Sequence, residues 1–239
     1  MSLSIKDKVA LVTGANRGIG KAIVEAFLAH GARKVYLAVR NPESTRELAA
    51  KYSDKVVTLS VDMGRPESIA ALALSAPDVQ VLVNNAAVLE LADPLADNAE
   101  QALAHEFDIN VLGLVRIAKA FAPILEKNGG ALVQLNSVAS VLNFTYLTTY
   151  SASKAAAYSV TQGLKEKLGE KGVQVLSVHP GPIATDMGVK AGLEGSPVSV
   201  VSEGIVAALE RGDFHLFPDE TAKNIWAAYQ GYASAVMAA

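Results

Sequence analysis

The sequence predicts an α/β fold, a doubly wound parallel sheet with helices on both faces. Short apolar runs alternate with amphipathic helical stretches along the chain, the pattern of successive βα units. The strand-like runs are apolar at neighbouring positions, as expected of strands covered on both faces. No Pro/Gly/Ser-rich linker or charge run divides the 239 residues, so residues 1–239 are expected to form a single domain.

The elements follow in order. The first strand is expected at 9–13 and a helix at 18–30, stopped by Gly31. A second strand covers 35–39, and Pro42 with Glu43 opens a helix reaching about Tyr52. Strands at 56–61 and 79–84 flank a short helix. One long helix is expected from Asn98 to about Glu126, ended by Gly129 and Gly130. A strand at 131–136 precedes a second long helix from Tyr150 to about Glu170, which stops near Gly172. The sixth strand covers 173–179. Residues 181–200 are rich in Gly and Pro and read as a loop with room for one short helix, a lid over a site. A helix at 201–210, a short strand at 214–217 and a terminal helix at 219–236 complete the chain.

Composition excludes several functions. With a net charge of -3 and no Lys/Arg cluster, nucleic-acid binding is not expected. There is no cysteine, so disulfides, thiol catalysis and cysteine-bound metal are ruled out. The four histidines, His30, His105, His179 and His215, have no ligand spacing, and no metal is expected. The first residues run into a strand without an apolar targeting core, and no stretch is long and apolar enough to span a membrane. A cytoplasmic protein without membrane partners is the expectation.

Two motifs carry chemistry. Thr13-Gly14-Ala15-Asn16-Arg17-Gly18-Ile19-Gly20 joins the first strand to the first helix. Glycines there let the backbone approach a pyrophosphate, and free N–H groups at the helix start face its charge. Taken alone, the same glycines serve equally for a tight turn. Tyr150 and Lys154 lie four residues apart at a helix start and share one face. A nearby ammonium favours the phenolate and brings a phenol of pKa about 10 toward neutrality. Taken alone, the pair also reads as an exposed helix pair.

Together, and with Asn84-Asn85-Ala86-Ala87, Asn110, Ser137 and Pro180-Gly181 with Thr185 in matching order, these residues resemble the short-chain dehydrogenase/reductase family from about Lys6 to about Val206. The resemblance implies a Rossmann-type fold and an oxidoreductase. It implies that Tyr150 passes a proton to the substrate oxygen. Lys154 lowers the phenol pKa and holds the nicotinamide ribose, Ser137 hydrogen-bonds the substrate oxygen, and Asn110 holds a water in a proton relay. Two O–H donors at a developing alkoxide fit electrostatic stabilisation of the transition state. On residue type alone, Ser137 also reads as a strand-end cap, Asn110 as a helix kink and Asp62 as a turn cap.

For the cofactor, the resemblance places Gly14, Asn16, Arg17, Gly18, Ile19 and Gly20 at the pyrophosphate. It places Asp62 and Met63 at the adenine, and Asn84 and Ala86 along the ribose and phosphates. Pro180, Gly181, Ile183 and Thr185 fall at the nicotinamide. The second strand ends at Arg40 with no acid for a ribose 2′-hydroxyl, and Arg40 with Arg17 suits a 2′-phosphate. NADP(H) is therefore expected.

The expected reaction is reversible, NADPH-dependent reduction of a ketone or aldehyde. Val138, Leu142, Phe144, Tyr146, Leu147, Leu89, Leu91, Met187, Val189 and Leu193 make an apolar small-molecule substrate the expectation, with a substrate loop at about 186–200. The alternative is a cofactor-binding sensor or scaffold without turnover, against which the Asn110/Ser137/Tyr150/Lys154 set argues. Two positions depart from the family. Ala87 replaces its usual Gly. The ending Phe214-His215-Leu216-Phe217-Pro218, followed by a helix with Trp226 and Tyr229, replaces the terminal strand of its tetramers. A dimer or tetramer built on the two long helices is still expected.

Overall fold

The computed structural model describes residues 2–237. It contains β1 (Val9–Thr13), α1 (Gly18–Ala29), β2 (Lys34–Val39), α2 (Arg46–Tyr52), β3 (Val56–Ser60), α3 (Pro66–Ser75), β4 (Val81–Asn84), α4 (Ala99–Glu106) and α5 (Gly113–Asn128). There follow β5 (Ala131–Leu135), α6 (Thr148–Gly169), β6 (Gln174–Val178), α7 (Asp186–Lys190), α8 (Val198–Arg211), β7 (His215–Leu216) and α9 (Glu220–Met237). The strands form one seven-stranded sheet in the order β3-β2-β1-β4-β5-β6-β7. Every neighbouring pair is parallel. The doubly wound parallel sheet is thus as the sequence predicted.

Alternation along β1 separates two cores. Ala10 and Val12 pack with Ile23 and Phe27 of α1 and with Val201, Ile205 and Leu209 of α8. Val9 and Leu11 turn to the other side and pack with Ile69 and Leu72 of α3 and with Ile117, Phe121 and Leu125 of α5. Because β1 is flanked by β2 and β4, the chain changes direction across the sheet at this point. A crevice opens at the carboxyl ends of the strands where such a reversal occurs.

That crevice is held closed at its base by a seam of hydrogen bonds. The Thr13 hydroxyl accepts from the amides of Asn85 and Ala86, both at 2.9 Å. The Asn85 side-chain amide donates to the carbonyl of Thr13 at 2.9 Å and of Gly14 at 3.3 Å. Gly20 presses against the same place. A Cβ on it would lie 2.2 Å from the Gly14 carbonyl oxygen, so α1 can enter the turn this closely only with glycine there.

The expected long helix at 98–126 is interrupted. Residues Phe107–Leu112 form a π-helical segment between α4 and α5. Asn110 lies in it, and its side chain leaves the helix to grip the loop after β4. The second long helix begins two residues early, at Thr148, so that Tyr150 sits inside its first turn. The loop at 181–200 contains α7, and α8 starts at Val198 rather than 201. Among the described residues, no helix is long and apolar enough to cross a membrane.

Candidate active site

A cleft of about 730 Å³ runs along the carboxyl ends of the central strands. Gly14, Asn16, Arg17, Gly18, Ile19 and Gly20 form one wall, with Arg40, Asp62, Met63 and Ala86 beside them. Tyr150, Lys154, Pro180 and Thr185 lie at its other end. The sequence-derived set is therefore brought largely into one space. Asn84, Asn110, Ser137, Gly181 and Ile183 are not in the wall. Asn84 is buried beneath it and donates to the Gln134 side chain at 2.8 Å. The Gly181 amide donates to Asp219 at 2.8 Å, and Ile183 is packed into the core.

The glycine-rich end fits a dinucleotide pyrophosphate. Gly14 and Gly18 have φ of 64° and 53°, the left-handed region that glycine tolerates best. The first turn of α1 has neither a capping side chain nor an acidic residue. Its amides and the positive end of the helix dipole therefore face the cleft without a built-in anion. Arg40 has no ion-pair partner among the described residues, whereas Arg17 meets Asp186 of α7 at 2.8 Å.

At the other end, the four residues expected to do chemistry converge from three elements. Tyr150 and Lys154 share one face of α6, and the Lys154 Nζ lies 5.6 Å from the centre of the Tyr150 ring. Lys154 donates to the Leu135 carbonyl at the end of β5, at 2.8 Å. Ser137 follows that strand; its hydroxyl accepts from the Ala139 amide at 3.1 Å and also faces the Tyr150 phenol. Asn110 accepts from the Val88 amide at 2.9 Å and donates to the Val88 carbonyl and the Ser153 hydroxyl, each at 3.0 Å. Ser153 in turn donates to the Tyr150 carbonyl at 2.8 Å.

Burial dominates the electrostatics. It pushes the Tyr150 phenol above its ordinary value, although the Ser137 hydroxyl pulls the other way; the negative charge of Glu106 adds to the rise. The direction is opposite to the lowering expected from a lysine four residues on, because the low-dielectric surroundings cost the phenolate more. Lys154 is itself lowered by burial to about 8, with Glu106 opposing the fall.

Several contributors were not legible as site residues. His179 is buried and neutral, its pKa lowered to about 3 chiefly by desolvation. One ring nitrogen meets the Ser177 hydroxyl at 2.7 Å, and the other meets the Ser140 hydroxyl at 2.9 Å. Ser140 donates to the Ser137 carbonyl at 2.5 Å, so the turn bearing Ser137 is tied to β6. Lys190 of α7 reaches across the cleft to the Leu89 carbonyl at 2.7 Å and Glu90 at 3.3 Å. An apolar patch of Leu89, Ala139, Leu147, Phe144 and Met187 surrounds Tyr150. Leu91, Leu142, Tyr146 and Val189, expected at the same patch, are substantially exposed.

Comparison with known proteins agrees with this geometry. A family model described as short chain dehydrogenase matches residues 8–194. The chain belongs to the short-chain dehydrogenase family. As a member it is an oxidoreductase. It is 32% identical over 194 residues to an uncharacterized oxidoreductase of Staphylococcus saprophyticus, covering 77% of this chain and 82% of that one. A short chain dehydrogenase from Burkholderia cenocepacia in complex with NADP superposes with a TM-score of 0.91 at 33% identity, covering 99% of this chain and 98% of that one. One from Sphingobium yanoikuyae in complex with NADPH gives 0.83 at 27%, covering 97% and 95%. A Burkholderia phymatum short chain dehydrogenase/reductase in complex with NAD shares the fold at 23% identity, with a TM-score of 0.83, covering 95% of this chain and 93% of that one.

Lys154 gives this dehydrogenase a defined pH response. Its folded pKa of about 8 lies below the ordinary 10.5. Between these values the unfolded chain keeps a proton that the folded protein has released, so stability rises with pH across that window. Below it, the buried ammonium carries its full cost. Relative to Lys154→Met, the wild type should gain on the order of 1–3 kcal/mol between pH 7.5 and 10. Urea unfolding of both proteins across that range measures the difference; a flat difference contradicts the assignment.

Proposed function

We propose that this dehydrogenase reduces a ketone or aldehyde to an alcohol with NADPH, in a reversible reaction. The juxtaposition of Tyr150 and Lys154 at the foot of a cleft whose far end is an uncapped helix start carries this reading. A bound reduced nicotinamide supplies a hydride to the carbonyl carbon. Tyr150 gives its phenolic proton to the carbonyl oxygen, and the Ser137 hydroxyl donates a hydrogen bond to the same atom. Lys154 holds the nicotinamide ribose and places a positive charge near the phenol as its proton leaves. Water is kept from these atoms by Leu89, Phe144, Leu147 and Met187. Such walls suit a neutral aliphatic or aryl carbonyl compound.

The preference for the phosphorylated cofactor rests on the end of β2. Arg40 follows Val39 directly, no acid stands there, and Arg40 lines the cleft. A guanidinium pairs well with a 2′-phosphate. The relatives described with NADP and NADPH support the reading. Asp62 and Met63 border the adenine, and Pro180 and Thr185 border the nicotinamide. The whole chain works as one catalytic unit, with residues 186–200 over the substrate, and assembles with further copies of itself.

Two outcomes follow. Turnover with NADPH should exceed that with NADH by a large factor in kcat/KM, and Arg40→Ala should remove about 1.5–3 kcal/mol of that preference. Equal or better use of NADH by the wild type contradicts the cofactor assignment. Tyr150→Phe should lower kcat by about 10²–10⁴-fold while NADPH binding, followed by fluorescence, changes little. A folded Tyr150→Phe protein keeping more than about a tenth of wild-type kcat, with chemistry limiting, contradicts the acid role.

A further inference from the structure

Glu106 is a buried acid that the reaction above leaves unused. It closes α4, just before the π-helical segment, and its side chain has no solvent exposure. One carboxyl oxygen accepts from the Glu90 amide at 2.8 Å. The buried hydroxyl of Thr149, the residue before Tyr150, faces the same carboxyl and favours its ionised form. No basic side chain pairs with this buried carboxyl among the described residues, so the Glu90 amide and the Thr149 hydroxyl are what stabilise its charge.

Its placement shows what it acts on. Glu106 and Asn110 lie four residues apart, and both reach the same short loop. Asn110 holds both polar groups of Val88, and Glu106 holds the amide of Glu90. That loop carries Leu89 of the apolar patch and receives Lys190 from α7. On the other side, α4 packs against α6, which carries Thr149, Tyr150 and Lys154. The charged and titratable groups facing Glu106 are Glu90 from the loop, Tyr150 and Lys154 from α6, and His105 from its own helix.

We propose that Glu106 is a positioning residue for the reaction, holding the 88–90 loop through the Glu90 amide and setting the charge balance of Tyr150 and Lys154 from beneath. The proposal rests on the reductase reading above for its consequence in catalysis. Ionised, Glu106 keeps the proton on Tyr150 and the charge on Lys154, the state required of a proton donor. Burial raises its own proton affinity, while the Glu90 amide and the Thr149 hydroxyl oppose the rise. The site therefore changes its charge as Glu106 titrates.

The test reads Lys154 directly and needs no turnover. The wild type and Glu106→Gln, labelled with ¹³C at the lysine ε-carbon, are titrated by NMR, with the Lys154 resonance assigned by its loss in Lys154→Met. The Gln variant keeps an acceptor for the Glu90 amide and removes the charge. Its Lys154 midpoint should fall by at least about half a pH unit, and Glu106→Asp should restore it toward wild type. In the unmutated protein, the Lys154 resonance should carry a second inflection at the pH where the Glu106 carboxyl titrates. Coincident midpoints in wild type and Glu106→Gln, or a Lys154 curve blind to the Glu106 titration, overturn the proposal. In alcohol oxidation, Glu106→Gln should move the acid limb of kcat to lower pH, with the KM of a neutral alcohol little changed. An unmoved limb overturns the catalytic consequence. A wild type without any carbonyl or alcohol turnover refutes the reductase reading and leaves the NMR result to judge Glu106.

Discussion

The seam between β1 and the loop after β4 is the constraint on which the site depends. Thr13 and Asn85 exchange hydrogen bonds across it, each side chain holding the backbone of the other's turn. These bonds are largely withdrawn from water, so leaving a partner unpaired there would cost on the order of 1–3 kcal/mol per group. The seam fixes the Gly14 turn against Ala86, and Gly20 brings α1 onto the same turn. The start of α1 is thereby aimed along the cleft toward Tyr150. A shift in the seam would move the start of α1 relative to Tyr150, the two ends that the proposed reaction sets one cofactor apart.

The second constraint is electrostatic. Tyr150 and Lys154 are both buried, and for each desolvation of the charged form is the largest influence. A phenol held neutral suits the proposed reduction, in which Tyr150 begins with its proton in place. The surroundings that keep it so are specific. Ser137 and its tether through Ser140 to His179 lie on one side, and Asn110 and Glu106 lie on the other. His179 serves this network as a neutral group, stacked on Phe217 with ring centres 4.9 Å apart.

Much of this was legible in the sequence, for physical reasons. Strands buried on both faces read as short apolar runs, and all seven fell close to their observed positions. Gly18 and Gly20 stood out because few residues other than glycine tolerate such φ values or such close packing. Tyr150 and Lys154 stood out because a helix brings positions four apart onto one face. The π-helical segment at 107–112 was not legible. Its cause is the pull of Asn110 on Val88, a tertiary contact that leaves helical periodicity almost untouched. Glu106 was also hidden, since an acid near the end of a helix normally reads as solvated. The pairing of Arg17 with Asp186 and of Lys190 with Glu90 joins residues more than 90 positions apart, beyond the reach of any local pattern. The apolar patch was only half legible: Leu89, Phe144, Leu147 and Met187 turn inward, and their neighbours Leu91, Leu142 and Val189 turn out.

In the proposed reaction a hydride reaches the carbonyl carbon while Tyr150 protonates the oxygen. Transfer of isotope tests it most directly. NADPH carrying deuterium at both C4 positions of the nicotinamide is incubated with the protein and an apolar ketone in ordinary water, and the alcohol is analysed by mass spectrometry and NMR. The expected product carries deuterium on the carbinol carbon and an ordinary hydrogen on its oxygen. An alcohol whose carbinol carbon carries no deuterium would contradict it.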